Sequence, residues 1–271
     1  MIVVKIGGGE GNQIDGLARD VADLLRTGQQ VVLVHGGSHL TNQLATQLQY
    51  PPRFITSPSG MTSRYTDRRT MEIFQMAYCG RANKALVEAL QKLGVNAVGL
   101  SGMDGRIWSG PRKKAIHAVE GDKTRVVRDN LTGRVERVNA DLLRLLLDQG
   151  YLPVLTPPAI SDEGEPINVD GDRAAAATAV ALGAKTLVIL SNVPGLLRDL
   201  HDPNSLVEQI ASGELESVGE RFAGGRMRIK LLAAGEALAQ GVERVILGDS
   251  RSTGCLQNAL AGQGTVIKRE I

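Results

Sequence analysis

The most informative stretch of this 271-residue chain is Ile2-Val3-Val4-Lys5-Ile6, which runs directly into Gly7-Gly8-Gly9. A short run of β-branched residues that ends in glycines, with a helical pattern from about Gln13, predicts a buried strand, a glycine loop and a helix. Lys5 is unusual there, because a buried ammonium group needs a negative partner. We expect its head to emerge at the carboxyl end of the strand, where parallel sheets bind ligands. The simpler alternative is an edge strand with a solvated lysine.

The same arrangement recurs in Val31-Val32-Leu33-Val34-His35, followed by Gly36-Gly37-Ser38 and a helical pattern over 39–48. Two such units in tandem predict two sites for phosphate or carboxylate groups on one sheet, because glycine loops bring backbone N–H groups close to anions. Neither loop has the spacing of a dinucleotide fingerprint or of a P-loop. A nucleotide site built here is therefore of another kind.

Strands and helices alternate along most of the chain. The other predicted strands of the sheet lie at 97–101, 152–156, 187–191, 245–247 and 266–267, and the other predicted helices lie at 13–26, 67–91, 139–149, 173–184 and around Lys230. This alternation predicts an α/β fold, an open three-layer αβα sandwich around a mostly parallel sheet. Residues 107–138 instead form short alternating stretches separated by turns, which predicts a β-hairpin insertion. Residues 53–64 are expected to cover a site as a loop or hairpin.

Composition excludes several classes of function. Lys and Arg (31) nearly balance Asp and Glu (29), so the net charge of +2 does not indicate nucleic-acid binding. Cys79 and Cys255 form no pattern of disulfides or metal ligands. Apolar runs are too short to span a membrane, and Met1 leads straight into a core strand, so we expect no membrane association, no signal peptide and a cytoplasmic location.

The predicted carboxyl ends of the strands collect Lys5, Asn168, Asp172 and Ser191. This set offers cations, backbone donors and carboxylates, without an evident nucleophile. Phosphoryl transfer to a carboxylate needs little more, because positioning and charge neutralisation carry the catalysis and an acceptor with a pKa of about 4 is already ionised. A hydroxyl acceptor stays open, since Asp172 offers a general base.

Seven segments, in this order, resemble the amino acid kinase family over essentially the whole chain. They are Lys5 with Gly7-Gly8, His35-Gly36-Gly37, Arg64 before Thr66-Asp67, Asn83-Lys84, 168–172, 191–195, and Gly225-Arg226-Met227 with Lys230. Within the family the chain is similar to the N-acetylglutamate kinase branch. Ser63–Asp67 and Ser101–Gly105 make it most similar to members that phosphorylate aminoadipate on a LysW-type carrier protein. Asn192, where the family often has Asp, departs from the pattern, and the resemblance assigns no role to Arg226.

The resemblance implies that Lys5 and Lys230 neutralise the transferring phosphoryl group while Asp172 holds both lysines. Arg64 would pair with the α-carboxylate of the acceptor, and Asn168 would bond its acylated amino end. The implied substrate-binding residues are Gly36, Gly37, Arg64 and Asn168. The implied ATP-binding residues are Gly7, Gly8, Ser191, Asn192, Val193, Gly195, Leu196 and Met227.

In detail, the resemblance implies N–H donation from Gly8 and Gly37 to the phosphates or the transition state, and from Gly36 to the acceptor. The cofactors it implies are ATP and Mg²⁺, with the metal held mainly by the ATP phosphates and not by a site of the chain. It also implies an acyl-acceptor-binding lobe at 1–172, an ATP-binding lobe at 173–271 and a homodimer paired through the helix from Asp67.

A carrier-linked acceptor brings a small acidic protein to the mouth of the site. The basic edge Arg112-Lys113-Lys114 of the predicted hairpin is where we expect carrier contact, and the bland alternative is a charged edge that blocks strand pairing. The resemblance thus implies ATP-dependent phosphorylation of LysW-bound L-2-aminoadipate in lysine biosynthesis. The alternatives are an N-acetyl-L-glutamate 5-kinase of arginine biosynthesis, a dual LysW-aminoadipate and LysW-glutamate kinase, and a non-catalytic nucleotide-binding regulator.

Overall fold

The computed structural model describes residues 1–58, 60, 62–120 and 123–269. Its strands are β1 Ile2–Ile6, β2 Val31–His35, β3 Phe54–Thr56, β4 Thr62–Arg64, β5 Ala97–Ser101, β6 Trp108–Gly110, β7 Ile116–Glu120, β8 Lys123–Val127, β9 Arg137–Val138, β10 Leu152–Thr156, β11 Ala159–Ser161, β12 Pro166–Ile167, β13 Thr186–Ser191, β14 Gln209–Ala211, β15 Arg244–Asp249 and β16 Thr265–Lys268.

The helices surround the strands in sequence. They are α1 Ile14–Arg26, α2 Ser38–Gln47, α3 Arg68–Gln75, α4 Asn83–Gln91, α5 Ala140–Asp148, α6 Gly171–Leu182, α7 Leu215–Phe222, α8 Gly225–Ala239 and α9 Cys255–Leu260. A π-helical segment, Met76–Ala82, joins α3 to α4. In the part of the chain that the structure describes, no helix is both long and apolar enough to cross a membrane.

The main sheet has eight strands in the order β14-β16-β15-β13-β1-β2-β10-β5. Six neighbouring strands, from β15 to β5, run parallel, and the antiparallel pairing of β15 with β16 turns the last two strands the other way. The mostly parallel α/β sheet predicted from the sequence is confirmed. The chain winds from β1 toward β5 and then returns to the other side of β1, so the ends of β1 and β13 meet at the topological switch point.

The two faces of this sheet carry separate halves of the core. Ile2, Val4 and Ile6 pack on the side of α1, α4 and α9, whereas Val3 packs on the side of α5, α6 and α8. Because alternate residues of a strand point to the same face, Lys5 shares the face of Val3. Its side chain is thereby directed toward the helical layer formed by α6 and α8.

Two four-stranded sheets, β4-β3-β7-β8 and β12-β11-β6-β9, stand beyond the carboxyl ends of the main strands. Antiparallel β3 and β4 form the hairpin expected as one option for 53–64, and β7 and β8 form the predicted hairpin insertion. The third stretch of the predicted insertion, 134–138, does not join it. Instead β9 pairs with β6 in the other small sheet.

The helix predicted over 67–91 is wrong as one continuous α-helix, because the π-helical segment interrupts it. Its buried stripe runs through Met71, Phe74, Tyr78, Ala82, Leu86 and Leu90. Four successive intervals of four residues would drift by about 160° around an ideal α-helix. A wider π turn takes up part of that drift, so the stripe stays on one face.

Candidate active site

Two lysines from different elements share one buried carboxylate. Lys5 Nζ lies 2.5 Å from Asp172 Oδ1, and Lys230 Nζ donates to Asp172 Oδ2 at 2.9 Å. The exposed fraction of each of the three side chains is 9% or less. Asp172 lies in the first turn of α6, where Asp170 caps the helix by accepting from the N–H groups of Asp172 and Arg173. The sequence prediction that these three residues meet is confirmed by this geometry.

Lys5, Asp172 and Lys230 together carry one more positive charge than negative charge, and the Asp170 carboxyl beside them also acts on both lysines. Burial alone would raise the pKa of Asp172, but both lysines hold that pKa well below its usual value. Burial likewise opposes the charge of Lys5, yet the attraction of Asp172 outweighs it and the pKa of Lys5 is raised. Burial and the repulsion from Lys5 lower the pKa of Lys230. The surplus charge makes the cluster a receptor for an anion.

The two glycine loops touch each other beside the cluster. A Cβ atom on Gly8 would lie 2.2 Å from the amide nitrogen of Gly37 and 2.6 Å from that of Ser38. These neighbours are backbone atoms, so only glycine fits at position 8. The carbonyl of Gly8 accepts from the N–H of His39 and the hydroxyl of Ser38, which fixes the first loop on the N-terminus of α2. Helix N-termini favour anions.

The hydrogen bonds of the loops correct part of the predicted donor set. The N–H of Gly36 donates to the carbonyl of Ile6, and the N–H of Gly7 donates to that of Leu190. Both bonds extend the parallel ladder past the strand ends, so neither N–H is available for an acceptor or a phosphate. Among the described residues, the N–H groups of Gly8 and Gly37 donate to no backbone oxygen, but the N–H of Gly37 donates to the phenol oxygen of Tyr78. Gly8 therefore has a free N–H, whereas the N–H of Gly37 would have to leave Tyr78 to bind a ligand.

Arg64 lies against the first turns of α2, and one side of its guanidinium group is unpaired. Its Nη2 donates to Asn42 Oδ1 at 2.6 Å, and its guanidinium carbon lies 5.2 Å from the centre of the Phe54 ring. Nη1 is buried and has no hydrogen-bond partner in the described part of the chain. A buried cationic donor without a partner is unfavourable, so this position fits an anionic ligand. The sequence did not identify Asn42, whose only signal is its place on α2.

Asn168 belongs to a hydrogen-bond network around Thr66, two residues after Arg64. Its Nδ2 donates to the hydroxyl of Thr66 at 3.1 Å, while the backbone of Thr66 bonds to the side chain of Asn130 and to the N–H of Leu131. The segment before α3 is thereby joined to the strand that leads to Asp172. Arg64 and Asn168, which were predicted as separate substrate contacts, therefore belong to one hydrogen-bond network through Thr66.

His35 is a buried positioning residue for the second glycine loop. Asn83 Nδ2 lies 3.0 Å from His35 Nε2 and also donates to the carbonyl of Val154, so Nε2 is the acceptor. His35 Nδ1 then carries the hydrogen that is shared with the carbonyl of Gly36 at 3.0 Å. Burial, with smaller contributions from Lys5 and other neighbours, lowers the pKa of His35 to about 4.

Lowering the pH from 7 to 4.5 is expected to reduce the free energy of unfolding by roughly 2 kcal/mol through His35. The unfolded chain takes up a proton near pH 6.5, whereas the folded protein takes it up only near pH 4, so protonation in this window favours unfolding. Urea unfolding of the wild type and of His35→Gln at both pH values measures the effect. An equal loss in both proteins would contradict it.

The predicted nucleotide-binding residues at 191–196 follow one another at the end of β13 and differ in their solvent exposure. Ser191 is buried at the end of β13, Val193 is half-buried, and Asn192 is exposed beside Gly9. Leu196 does not fit the predicted ATP contact through its side chain or its N–H. The side chain lies in the core, and the N–H donates to Thr265 Oγ1.

Gly195 supports the same turn, since a Cβ there would lie 2.5 Å from Thr265 Oγ1. Met227, half-buried in the first turn of α8, packs against the core. Gly195 therefore fixes the turn that follows Asn192, and Met227 anchors the first turn of α8 on the core.

The basic edge Arg112-Lys113-Lys114 divides into two kinds of residue. Arg112 Nη1 pairs with Glu165 at 2.8 Å, and its other nitrogens donate to the carbonyls of Asn130 and Arg128. Lys113 and Lys114 are exposed and form no ion pair with a described residue. Arg112 therefore holds the base of the hairpin, and only the two lysines are free for a partner.

The described residues contain no group of three or more His, Cys, Asp or Glu side chains placed to hold a metal ion. The carboxylate at the centre of the site, Asp172, already binds two ammonium groups.

Comparisons with known proteins agree with this geometry. The amino acid kinase family model matches residues 1–249. The chain is 57% identical to the LysW-aminoadipate kinase of Deinococcus radiodurans, over 98% of this chain and 91% of that protein. It is 52% identical to the LysW-aminoadipate kinase of Thermus thermophilus, over 99% and 100% of the two chains.

Among solved structures, N-acetylglutamate synthase from Neisseria gonorrhoeae, complexed with coenzyme A and N-acetyl-glutamate, superposes with a TM-score of 0.80 at 27% identity. That match covers all of this chain and 59% of the synthase chain. Since the family model spans most of the sequence and both kinases are more than half identical to it, this chain belongs to the amino acid kinase family.

Proposed function

We propose that the chain transfers the γ-phosphoryl group of ATP to the side-chain carboxylate of L-2-aminoadipate held on a LysW-type carrier protein. The observation that carries the proposal is the buried Lys5-Asp172-Lys230 cluster, with its surplus positive charge beside two glycine loops. Such a site stabilises the charge that spreads over phosphoryl oxygens during transfer. The names of the two similar kinases supply the acceptor and its carrier.

In the proposed reaction an oxygen of the acceptor carboxylate attacks the γ-phosphorus. The bond from phosphorus to the bridging oxygen of ADP breaks, and the product is an acyl phosphate. Lys5 and Lys230 neutralise the phosphoryl oxygens, and the N–H groups of Gly8 and Gly37 add donors. Mg²⁺, held mainly by the ATP phosphates, would neutralise further charge. Residues 1–172 bind the acceptor and residues 173–271 bind ATP in this scheme.

The state of Asp172 favours a carboxylate acceptor over a hydroxyl. A general base needs a free oxygen and a pKa near the working pH. Oδ2 of Asp172 accepts from Lys230, Oδ1 lies 2.5 Å from Lys5 Nζ in an ion pair, and the pKa of Asp172 lies well below the usual value. Asp172 therefore acts as a positioning residue, and an acceptor that is already ionised requires no proton removal.

The acceptor would lie between Arg64 and Asn168. The unpaired Nη1 of Arg64 supplies a donor for the α-carboxylate, and Asn168, whose Nδ2 donates to Thr66, would offer its remaining amide atoms to the acylated amino end. The carrier would approach across the hairpin, with Lys113 and Lys114 as its contacts. Arg112 stabilises the base of the hairpin through its ion pair with Glu165.

A hydroxamate assay for acyl phosphate tests the function directly. The purified protein is incubated with ATP and, in parallel, with carrier-linked aminoadipate, carrier-linked glutamate and free N-acetylglutamate. We expect turnover of carrier-linked aminoadipate; equal turnover of the glutamate form would make the enzyme dual, since one methylene changes selectivity by only about 10–200-fold. Turnover of free N-acetylglutamate alone would overturn the proposal, and no ATP-dependent turnover of any acceptor would favour a regulator.

Reversing Lys113 and Lys114 to Glu is expected to lower kcat/KM for carrier-linked substrate at least tenfold at low salt, because complementary charge speeds the encounter. The difference should shrink as ionic strength rises. Arg112 is left unchanged because its reversal would break the pair with Glu165. The matched control reverses the exposed Arg19 and Lys268, which changes the net charge equally. An equal loss in the control would contradict a local docking role.

We also propose a homodimer that pairs through the helical segment beginning with α3. Met76 supports this assignment, because half of this apolar side chain is exposed on the π-helical segment. Sedimentation velocity of the wild type and of Met76→Glu measures the assembly. A monomeric wild type would exclude it.

A further inference from the structure

The glycine loop that follows β1 is closed by the side chain of Asn12. Its Nδ2 donates to the carbonyl oxygen of Gly7 at 2.5 Å and to that of Gly9 at 3.2 Å. Gly11 has a φ of 86°, a backbone conformation that favours glycine, and it turns the chain so that Asn12 comes back to the start of the loop. Asn12 therefore binds the residues on both sides of Gly8.

The bond to Gly7 determines the direction of the N–H of Gly8. The carbonyl of Gly7 and the N–H of Gly8 belong to one trans peptide unit, which is planar, so the two groups point in opposite directions. A carbonyl that is held by Asn12 therefore fixes this N–H as well. The hydrogen bond also polarises the peptide unit, which strengthens the N–H as a donor. In the described part of the chain this N–H donates to no backbone oxygen, so it is available for a ligand.

Ser250, directly after β15, orients the amide group of Asn12. Its buried hydroxyl donates to Asn12 Oδ1 at 2.5 Å, which leaves Nδ2 for the two carbonyls of the loop. The N–H of Ser250 donates to the carbonyl of Ser191 at 2.8 Å, and the carbonyl of Ser250 accepts from the N–H of Gln13 at 3.0 Å. Ser250 is thus fixed between the end of β13 and the start of α1, so the orientation of Asn12 depends on two neighbouring elements.

We propose that Asn12 is a positioning residue for phosphoryl transfer, which directs the N–H of Gly8 toward the transferring phosphoryl group, and that Ser250 holds Asn12 in the required orientation. The inference rests on the proposed function, because it assigns the ligand of this N–H to the phosphoryl group. Asn12 acts through the Gly7–Gly8 peptide unit and touches no substrate. A donor that is already oriented stabilises the charge that develops in the transition state, so its misalignment should lower kcat more than substrate binding.

Steady-state kinetics of Asn12→Ala, with ATP and the acceptor that the wild type phosphorylates, test the inference. We expect kcat to fall about 10–100-fold, because the Gly8 donor remains but loses its orientation. KM for ATP and for the acceptor should change less than about threefold, since the interaction forms mainly in the transition state. Asn12→Asp keeps the acceptor for Ser250 and replaces Nδ2 by an oxygen, so it should lose at least as much kcat.

Ser250→Ala tests the second half of the inference. It should lower kcat less than Asn12→Ala, because the amide of Asn12 remains and only its orientation is released. The double variant should lose no more kcat than Asn12→Ala alone, because Ser250 acts through Asn12. Losses that multiply in the double variant would show that the two side chains act independently, which would overturn the role of Ser250.

Asn139→Ala is a matched control for the loss of an asparagine that binds a glycine carbonyl. Asn139 Nδ2 donates to the carbonyl of Gly105 at 2.8 Å, and Oδ1 caps α5 by accepting from the N–H of Leu142. Its removal should lower the melting temperature and leave kcat and both KM values within about twofold of the wild type, because a helix cap contributes to stability. An equal fall of kcat in both alanine variants would attribute the effect to stability and overturn the inference.

Hydrogen–deuterium exchange of the peptide that contains residues 7–12 gives a readout without turnover. Exchange in this peptide should be faster in Asn12→Ala than in the wild type and unchanged in Asn139→Ala, because only the first variant releases the loop. Unchanged exchange in Asn12→Ala, or a wild-type kcat in Asn12→Asp, would overturn the inference, as would a rise in KM for ATP without a fall in kcat. These results leave the proposed function intact, because every variant is assayed with the acceptor that the wild type uses. A wild type that phosphorylates no acceptor would refute the proposed function and this inference together.

Discussion

Lys230→Met is expected to lower kcat about 10²–10³-fold. The change removes the surplus positive charge of the buried cluster, because Lys5 and Asp172 then form a neutral pair. The lost interaction forms mainly in the transition state, so kcat and kcat/KM should fall together. Steady-state kinetics with saturating ATP and acceptor measure this loss.

The fold should survive this substitution. Asp172 keeps its partner Lys5 at 2.5 Å, so no buried charge is left alone. Lys230→Arg serves as the comparison, since it retains the charge with a different shape and should keep more activity than methionine. A methionine variant with a normal melting temperature and a kcat within threefold of the wild type would refute a role for Lys230 in phosphoryl transfer.

Gly8→Ala is expected to lower kcat at least 100-fold and to reduce the free energy of unfolding by about 1–3 kcal/mol. The added Cβ would meet the backbone of Gly37, Ser38 and Gly36 at 2.2–2.7 Å, and none of these atoms belongs to a flexible side chain. The two loops must separate, and their N–H donors then leave the positions that face the phosphoryl group. Kinetics and urea unfolding of the same preparation give both quantities.

Gly9→Ala is a closely matched control for this effect. It adds the same methyl group one residue further on, where the nearest atom is the side-chain nitrogen of Asn192 at an ordinary 3.6 Å. Activity and stability should stay near those of the wild type. If both alanine variants lose activity equally, the effect belongs to loop flexibility and not to the contact between the two loops.

The sequence identified the parts of the site that depend on local pattern. A β-branched strand that ends in glycines predicted the position of Lys5 at the carboxyl end of β1, and the structure confirms it. The approach of Asp172 and Lys230 came from a family resemblance, and the geometry confirms this too. The position of Lys5 could be predicted from the residues alone because strand alternation and helix periodicity are short-range properties, which a single sequence displays directly.

Other features depend on which backbone groups find each other in the folded chain. The N–H of Gly36 reads as a free donor in a glycine loop, yet the parallel register places the carbonyl of Ile6 within 3.0 Å of it. Arg112 reads as part of a basic edge, yet Glu165 lies opposite it although 53 residues separate the two in sequence. No local pattern contains these pairings, because they follow from strand order and register.

Local sequence was therefore sufficient for the α/β class, the two glycine loops and the buried lysine that needs a carboxylate. The folded chain was required for two further results: which N–H groups stay available and which cations are already paired. The difference is physical. Propensity and periodicity act over a few residues, whereas the charge and hydrogen-bond balance of a site is set by groups that only tertiary packing brings within a few ångströms.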